Sequence, residues 1–216
     1  MAEEQNRSYE SFEQDSMMIY IDPKLMSSLN DMAEKKQEDL KALQSAAEDG
    51  DLDAQYRLGR SYYYGDDGAP QDGERAFEWF SRAAEGGSIA GQHYLGLCWL
   101  RGIGVEKDMA RGAEVLADAA AEGYPPAQCE LGLCYELGHG GEMDKGRAAE
   151  LYQEAADQDY APAQCNLGYF YYQGIYFEEN NDMAAELFAK SAQQGYPRAQ
   201  VLMGECFENG YGVEKD

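Results

Sequence analysis

The sequence predicts an all-α protein, a solenoid of antiparallel helix pairs with a repeat of about 36 residues, and three observations predict it. An apolar residue followed by glycine recurs as Leu58-Gly59, Leu95-Gly96, Leu131-Gly132, Leu167-Gly168 and Met203-Gly204, with marker glycines 37, 36, 36 and 36 residues apart. Two further columns keep step with the marker. An aromatic stands three residues on (Tyr62, Trp99, Tyr135, Tyr171, Phe207) and a glycine six residues on (Gly65, Gly102, Gly138, Gly174, Gly210). One such unit cannot bury its apolar face alone, so neighbouring units must stack into a continuous core.

Taken from the N-terminus, residues 1–22 read as a loose polar segment, with Ser, Glu and Gln prominent up to residue 16. Asp22-Pro23 pairs an N-cap residue with a first-turn proline, and Leu25, Leu29, Met32, Leu40 and Leu43 follow at roughly helical spacing. Ala46-Ala47 and Gly50 align with Ala83-Ala84 and Gly87 at the end of the next unit. Residues 23–50 are therefore predicted to form a helical N-terminal cap over the first repeat, with room for a break near Lys36. Residues 51–216 then hold four full repeats and the first helix of a fifth.

Within a repeat, the first helix covers about residues 54–64, where Leu58 and Tyr62 share one face. Gly65 and its equivalents stand where a helix ends on a left-handed residue, which glycine adopts without steric cost. Asp72, Asp108, Asp144 and Asn180, with Asp216 in the fifth unit, are placed to cap the second helix through a side-chain oxygen. That helix carries Ala76, Trp79, Phe80 and Ala83, or Ala148, Leu151, Tyr152 and Ala155, on its inward stripe. Pro125, Pro126, Pro162 and Pro197 fall in the first turn of the following first helix, where a missing N–H costs little. The marker glycines and small pairs such as Ala119-Ala120 and Ser191-Ala192 leave room for close helix approach. The second helix ends near Gly87, Gly123 or Gly195, with Asp159 in that place once. Two loops depart from the pattern and are expected to differ in shape. Asp66-Asp67-Gly68-Ala69-Pro70 is one residue longer, and Ile175-Tyr176-Phe177 lacks the Gly-Val of the others.

The whole pattern, A-x-x-x-L-G-x-x-Y-x-x-G-x-G-V-x-x-D-x-x-x-A…A-A-x-x-G, resembles the Sel-1-like repeat family, a relative of the tetratricopeptide repeat. The resemblance covers roughly residues 41–216, and residues 102–108 and 127–135 carry it most closely. It implies a right-handed superhelix with first helices lining the concave side, used as an adaptor in protein complexes. By analogy with tetratricopeptide grooves, the concave surface takes the residues three before, and one, four and five after, each marker. In the first repeat these are Tyr56, Arg60, Tyr63 and Tyr64, and in the second His93, Leu97, Leu100 and Arg101. The third gives Cys129, Leu133, Glu136 and Leu137, and the fourth Cys165, Tyr169, Tyr172 and Gln173. Tyrosine and leucine with a few charges suit a peptide-binding groove.

Composition narrows the function classes. The 41 acidic against 17 basic residues give a net charge of −24, spread along the chain. Such a surface repels nucleic acid and anionic membranes, keeps the chain soluble and allows a basic partner. The longest apolar runs, residues 17–21 and 94–100, fall far short of the ~20 residues that span a bilayer. No basic region precedes an apolar one at the N-terminus, and five cysteines are an odd number, so a cytoplasmic, reducing setting is expected.

Motifs for chemistry are lacking. The two histidines, His93 and His139, stand in no Ser or Cys nucleophile pattern, and no Ser-x-x-Lys, Walker loop, H-E-x-x-H or C-x-x-C occurs. Asp49, Asp51 and Asp53 imitate a calcium loop, but Ala54 and Arg60 occupy the positions that need Gly and Glu. Cysteine-rich members of the resembling family bridge the two helices of each repeat; here all five cysteines lie on first helices, so they read as buried small hydrophobes. The expected function is a non-enzymatic adaptor, without metal or cofactor, that binds a protein segment in the concave groove. The alternative is a targeting or regulatory repeat region of a longer protein whose activity lies beyond Asp216. Val201, Leu202 and Phe207 on the last first helix lack a covering helix, so weak self-association through the C-terminal repeat is also expected.

Overall fold

The computed structural model describes residues 23–214, which form ten helices and no strand. In chain order they are α1 (Pro23–Glu48), α2 (Leu52–Tyr64), α3 (Gly73–Glu85), α4 (Ile89–Arg101), α5 (Met109–Ala121), α6 (Pro125–Leu137), α7 (Lys145–Ala156), α8 (Ala161–Gln173), α9 (Asn181–Gln193) and α10 (Pro197–Asn209). The even-numbered helices are the first helices of the five repeats. Each of α2, α4, α6 and α8 packs most extensively on the second helix that follows it, and less on the one before. The result is an α-solenoid whose contacts run between sequence neighbours.

The repeat columns take the physical roles assigned to them. Asp72, Asp108, Asp144 and Asn180 accept from the backbone N–H three residues on at 2.9–3.0 Å, satisfying one of the free donors of the second helix. Helices α2, α4, α6, α8 and α10 all end on a left-handed glycine. The marker glycines permit an intimate contact with the second helix. A Cβ built on Gly59 would stand 2.7 Å from Phe80, on Gly96 2.7 Å from Leu116, and on Gly132 and Gly168 2.8 Å from Tyr152 and Phe188. Those four partners are fully buried, and each such side chain is worth ~1.5–3 kcal/mol of apolar burial.

Two details differ from the sequence reading. The fourth loop keeps a left-handed residue where the others do. Eight residues after the marker, Asp67, Gly104, Gly140, Tyr176 and Gly212 have φ of 50°, 70°, 86°, 66° and 66°. At Tyr176 the conformation costs ~1–2 kcal/mol that glycine would avoid. Its ring compensates by lying over Gly146, which has no side chain to obstruct it, and against Phe177 at 5.1 Å between centroids. The second difference is in α1. It runs unbroken through Lys36, because residues 33–39 include good helix formers and no Gly or Pro. Only its C-terminal half covers the first repeat: Leu40, Leu43 and Ala46 pack there, Ala47 is buried, and Gln44 donates to the Tyr62 hydroxyl at 3.0 Å. Leu29 and Met32 are exposed, since α1 extends past the end of α2 that it could pack on. The expected cap at Asp22, the loose segment 1–22 and the cap at Asp216 lie outside the described residues.

Candidate functional site

The first helices lie side by side, and direct side-chain contacts link each to the next along one face. Tyr94 of α4 packs against Tyr56, Tyr63 and Tyr64 of α2, with ring centroids 5.6, 5.7 and 6.5 Å away. Arg101 of α4 donates to the Tyr63 hydroxyl at 2.9 Å and lies 3.7 Å from the Glu130 carboxylate of α6. Asn166 of α8 reaches Cys129 of α6, and Arg198 of α10 donates to Asn166 at 2.9 Å while lying over the Tyr169 ring.

The structure sorts the sequence-predicted residues into wall and surface. Tyr63, His93, Leu97, Cys129 and Cys165 are buried, so they build the floor between helices. Tyr56, Leu100, Glu136, Tyr169 and Tyr172 are half-buried; Arg60, Tyr64, Arg101, Leu133, Leu137 and Gln173 are exposed. Glu136 is engaged from below, accepting the hydroxyl of the fully buried Tyr152 at 2.7 Å. Leu100 packs with the core of the second and third repeats. The first-repeat end gathers six of the set: Tyr56, Arg60, Tyr63, Tyr64, His93 and Arg101 meet around Tyr94 and Tyr124.

Burial dominates the electrostatics. His93 is 7% exposed, and neither ring nitrogen has a hydrogen-bond partner among the described residues. Burial, and secondarily the charge of Arg101, lowers its pKa to about 4, so it is neutral at pH 7. Burial likewise raises the Glu130 carboxyl against the opposing pull of Arg101. The thiols of Cys98 and Cys129 are pushed up to about 12 and those of Cys134 and Cys165 to about 11, chiefly by burial. They are protonated and inert as nucleophiles at neutral pH. Among the described residues no group of His, Cys, Asp and Glu is arranged to hold a metal ion, and no helix is long and apolar enough to cross a membrane.

The Sel1 repeat model matches residues 52–88, 89–124, 125–160, 161–196 and 197–216, which is most of the chain. The chain belongs to the Sel1 repeat family. A Sel1 repeat protein from Oxalobacter formigenes is 28% identical with a TM-score of 0.76, over 89% of this chain and 78% of that one. A protective antigen of uropathogenic Escherichia coli with the SLR fold is 34% identical with a TM-score of 0.71. It aligns with 82% of this chain, and the aligned region spans 38% of the antigen's own length. An immunity protein from Pseudomonas aeruginosa, 21% identical with a TM-score of 0.59 over 89% and 74% of the two chains, shares the fold. A comparison with curated proteins finds no match. Sel1 repeats are generally protein-interaction modules and typically non-catalytic.

In this Sel1 array the column reasoning missed Tyr94, Tyr124, Glu130, Asn166 and Arg198, all part of the same face. A signal for one of them was present. Tyrosine recurs eight residues before the marker as Tyr124, Tyr160 and Tyr196, at the N-cap of the first helix. That position makes no side-chain cap hydrogen bond, which leaves the ring to pack instead, as Tyr124 does edge-on against His93 at 5.6 Å.

Proposed function

We propose that this protein is a non-enzymatic adaptor that binds a protein segment in the concave groove lined by its first helices. The observation that carries the reading is the row of accessible apolar side chains on that face. Tyr64 of the first repeat is 53% exposed, and Leu133 and Leu137 of the third are 37% and 50% exposed. Exposed aromatic and aliphatic anchors on a rigid floor are where interface energy concentrates. The second helices, by contrast, present charged residues outward, among them Glu78, Glu114 and Glu150.

The test is site-specific photocrosslinking from the full chain in cells, with the probe at position 64, 133 or 137 and, as controls, at 78, 114 or 150. Crosslinks to another protein from the first-helix positions alone are expected. Crosslinks from the second-helix positions alone would put the binding face on the other side. The second reading, a targeting region of a longer protein, is favoured by one observation: the aligned region is only 38% of the E. coli antigen's length. The two are compatible, since a targeting region would use the same groove.

A further inference from the structure

The net charge of −24 suggests a basic partner, but the first-helix face of the first two repeats does not share the sign of the chain. The four concave columns over the first four repeats contain two arginines, Arg60 and Arg101, and one acid, Glu136; Glu130 lies on the same face beside Arg101, and the two acids of the fifth repeat, Glu205 and Glu208, stand on the last first helix. Glu136 is turned to the Tyr152 hydroxyl. Arg60 lies 5.8 Å over the Tyr64 ring and forms no ion pair with any described carboxylate; every arginine of an acidic protein has many to choose from. Arg101 is half-satisfied, held by the Tyr63 hydroxyl and only loosely by Glu130 at 3.7 Å. Beside Arg101 opens a cavity of about 400 Å³ between the second and third repeats. Leu100, Leu133 and Cys134 give it an apolar lining, and Arg101, Lys107 and His139 stand around it with Glu130 as the one acid.

We infer that the groove takes an acidic, carboxylate-bearing peptide segment, with one aliphatic side chain seated in the Leu100–Leu133–Cys134 cavity and flanking carboxylates paired with Arg101 and Arg60. This inference rests on the adaptor reading of the same face. A planar guanidinium already oriented by a tyrosine hydroxyl loses little freedom on pairing with a carboxylate. The acids of the outer helices do not cancel the attraction at contact, because charges beyond about 8 Å are screened at physiological ionic strength. The acidic exterior then serves selectivity: a basic segment is drawn to many places on the surface but meets guanidinium groups inside the groove.

The test uses the full chain and three fluorescein-labelled peptide pools of equal length and equal Leu, Ile and Val content, whose polar positions are Glu, Gln or Lys. The quantity compared is the part of binding that Leu133→Ser removes, since Leu133 is exposed and its loss leaves the core intact. The Glu pool is expected to bind at least about tenfold more tightly than the Gln pool, with the Lys pool weakest. R60E/R101E, checked for an unchanged melting temperature, should invert that order, and Lys145→Glu on the outer face should leave it alone. A Leu133-dependent signal strongest for the Lys pool, or a Glu preference that survives R60E/R101E, would overturn the acidic assignment and leave the groove standing. Binding of no pool, or binding that neither Leu133→Ser nor R60E/R101E alters, would overturn the groove and this inference with it.

Discussion

The third repeat and helix α10 carry the same columns and bury them very differently. In α6 the marker Gly132 lies under Tyr152 of α7, close enough that a Cβ would stand 2.8 Å from its ring. In α10 the marker Gly204 has nothing within 4 Å. Three residues before the marker, His93 and Cys129 are buried beneath the following repeat, whereas Val201 is 64% exposed. Two residues after it the helices agree: Cys134 and Cys206 are both buried, because that side faces the preceding second helix. A repeat column thus specifies half of a contact. The energy appears only where the neighbouring helix supplies the other half.

The largest expected effect is at the markers themselves. Gly132→Leu should cost ~3 kcal/mol, because Tyr152 is fully buried and cannot move aside. Gly204→Leu should be neutral or slightly stabilising. Thermal unfolding of the two variants measures the difference, and equal melting temperatures would break the comparison.

The next effect depends on pH and on the column of His93 and Val201. His93 titrates near 4 when folded and near 6.5 when unfolded, so the unfolded chain binds the extra proton between those values. The stability that its neutral burial allows is present above about pH 6.5 and is lost as pH falls toward 4. Wild type should therefore lose ~2.5 kcal/mol more than His93→Phe between pH 7 and 4.5. Val201→Thr should leave the pH profile unchanged. Parallel profiles for wild type and His93→Phe, read by urea unfolding, would show that His93 is not held neutral.

A smaller effect comes from the caps. Asp144→Ala removes the acceptor of the Arg147 N–H at 2.9 Å and should cost ~1 kcal/mol, read by urea unfolding against wild type. The smallest effect has the opposite sign. Gly204→Ala fills empty space and improves helix propensity, so it should slow amide exchange in α10 by the equivalent of ~0.8 kcal/mol. Faster exchange there would mean that the last marker glycine is packed after all.

Much of the fold was legible because the repeat writes the same local physics five times. Asn180 and the three aspartates read as caps, and Gly65 and its equivalents as left-handed helix ends, because both depend on residues within one turn. The candidate site was less legible. Column analogy placed Tyr63 and Leu97 on the surface, and both are buried, Tyr63 because the aromatic rings of Phe80 and Tyr94 pack against it. Tyr94 was overlooked because its role comes from the helix before it.

What the sequence by itself determined is periodic and local: the helix pair, its caps, the glycine contacts and the family. Such features follow from backbone sterics and from spacings within a few turns, which a linear chain carries in full. The tertiary structure alone decided which columns are accessible, how far α1 covers the first repeat, that Tyr176 holds a left-handed turn over Gly146, and that on one face of an acidic protein Arg60 forms no ion pair with a described carboxylate while Arg101 meets Glu130 only at 3.7 Å. Those depend on distances between residues about 36 positions apart. The stacking angle of one repeat on the next sets such distances, and no single repeat encodes it.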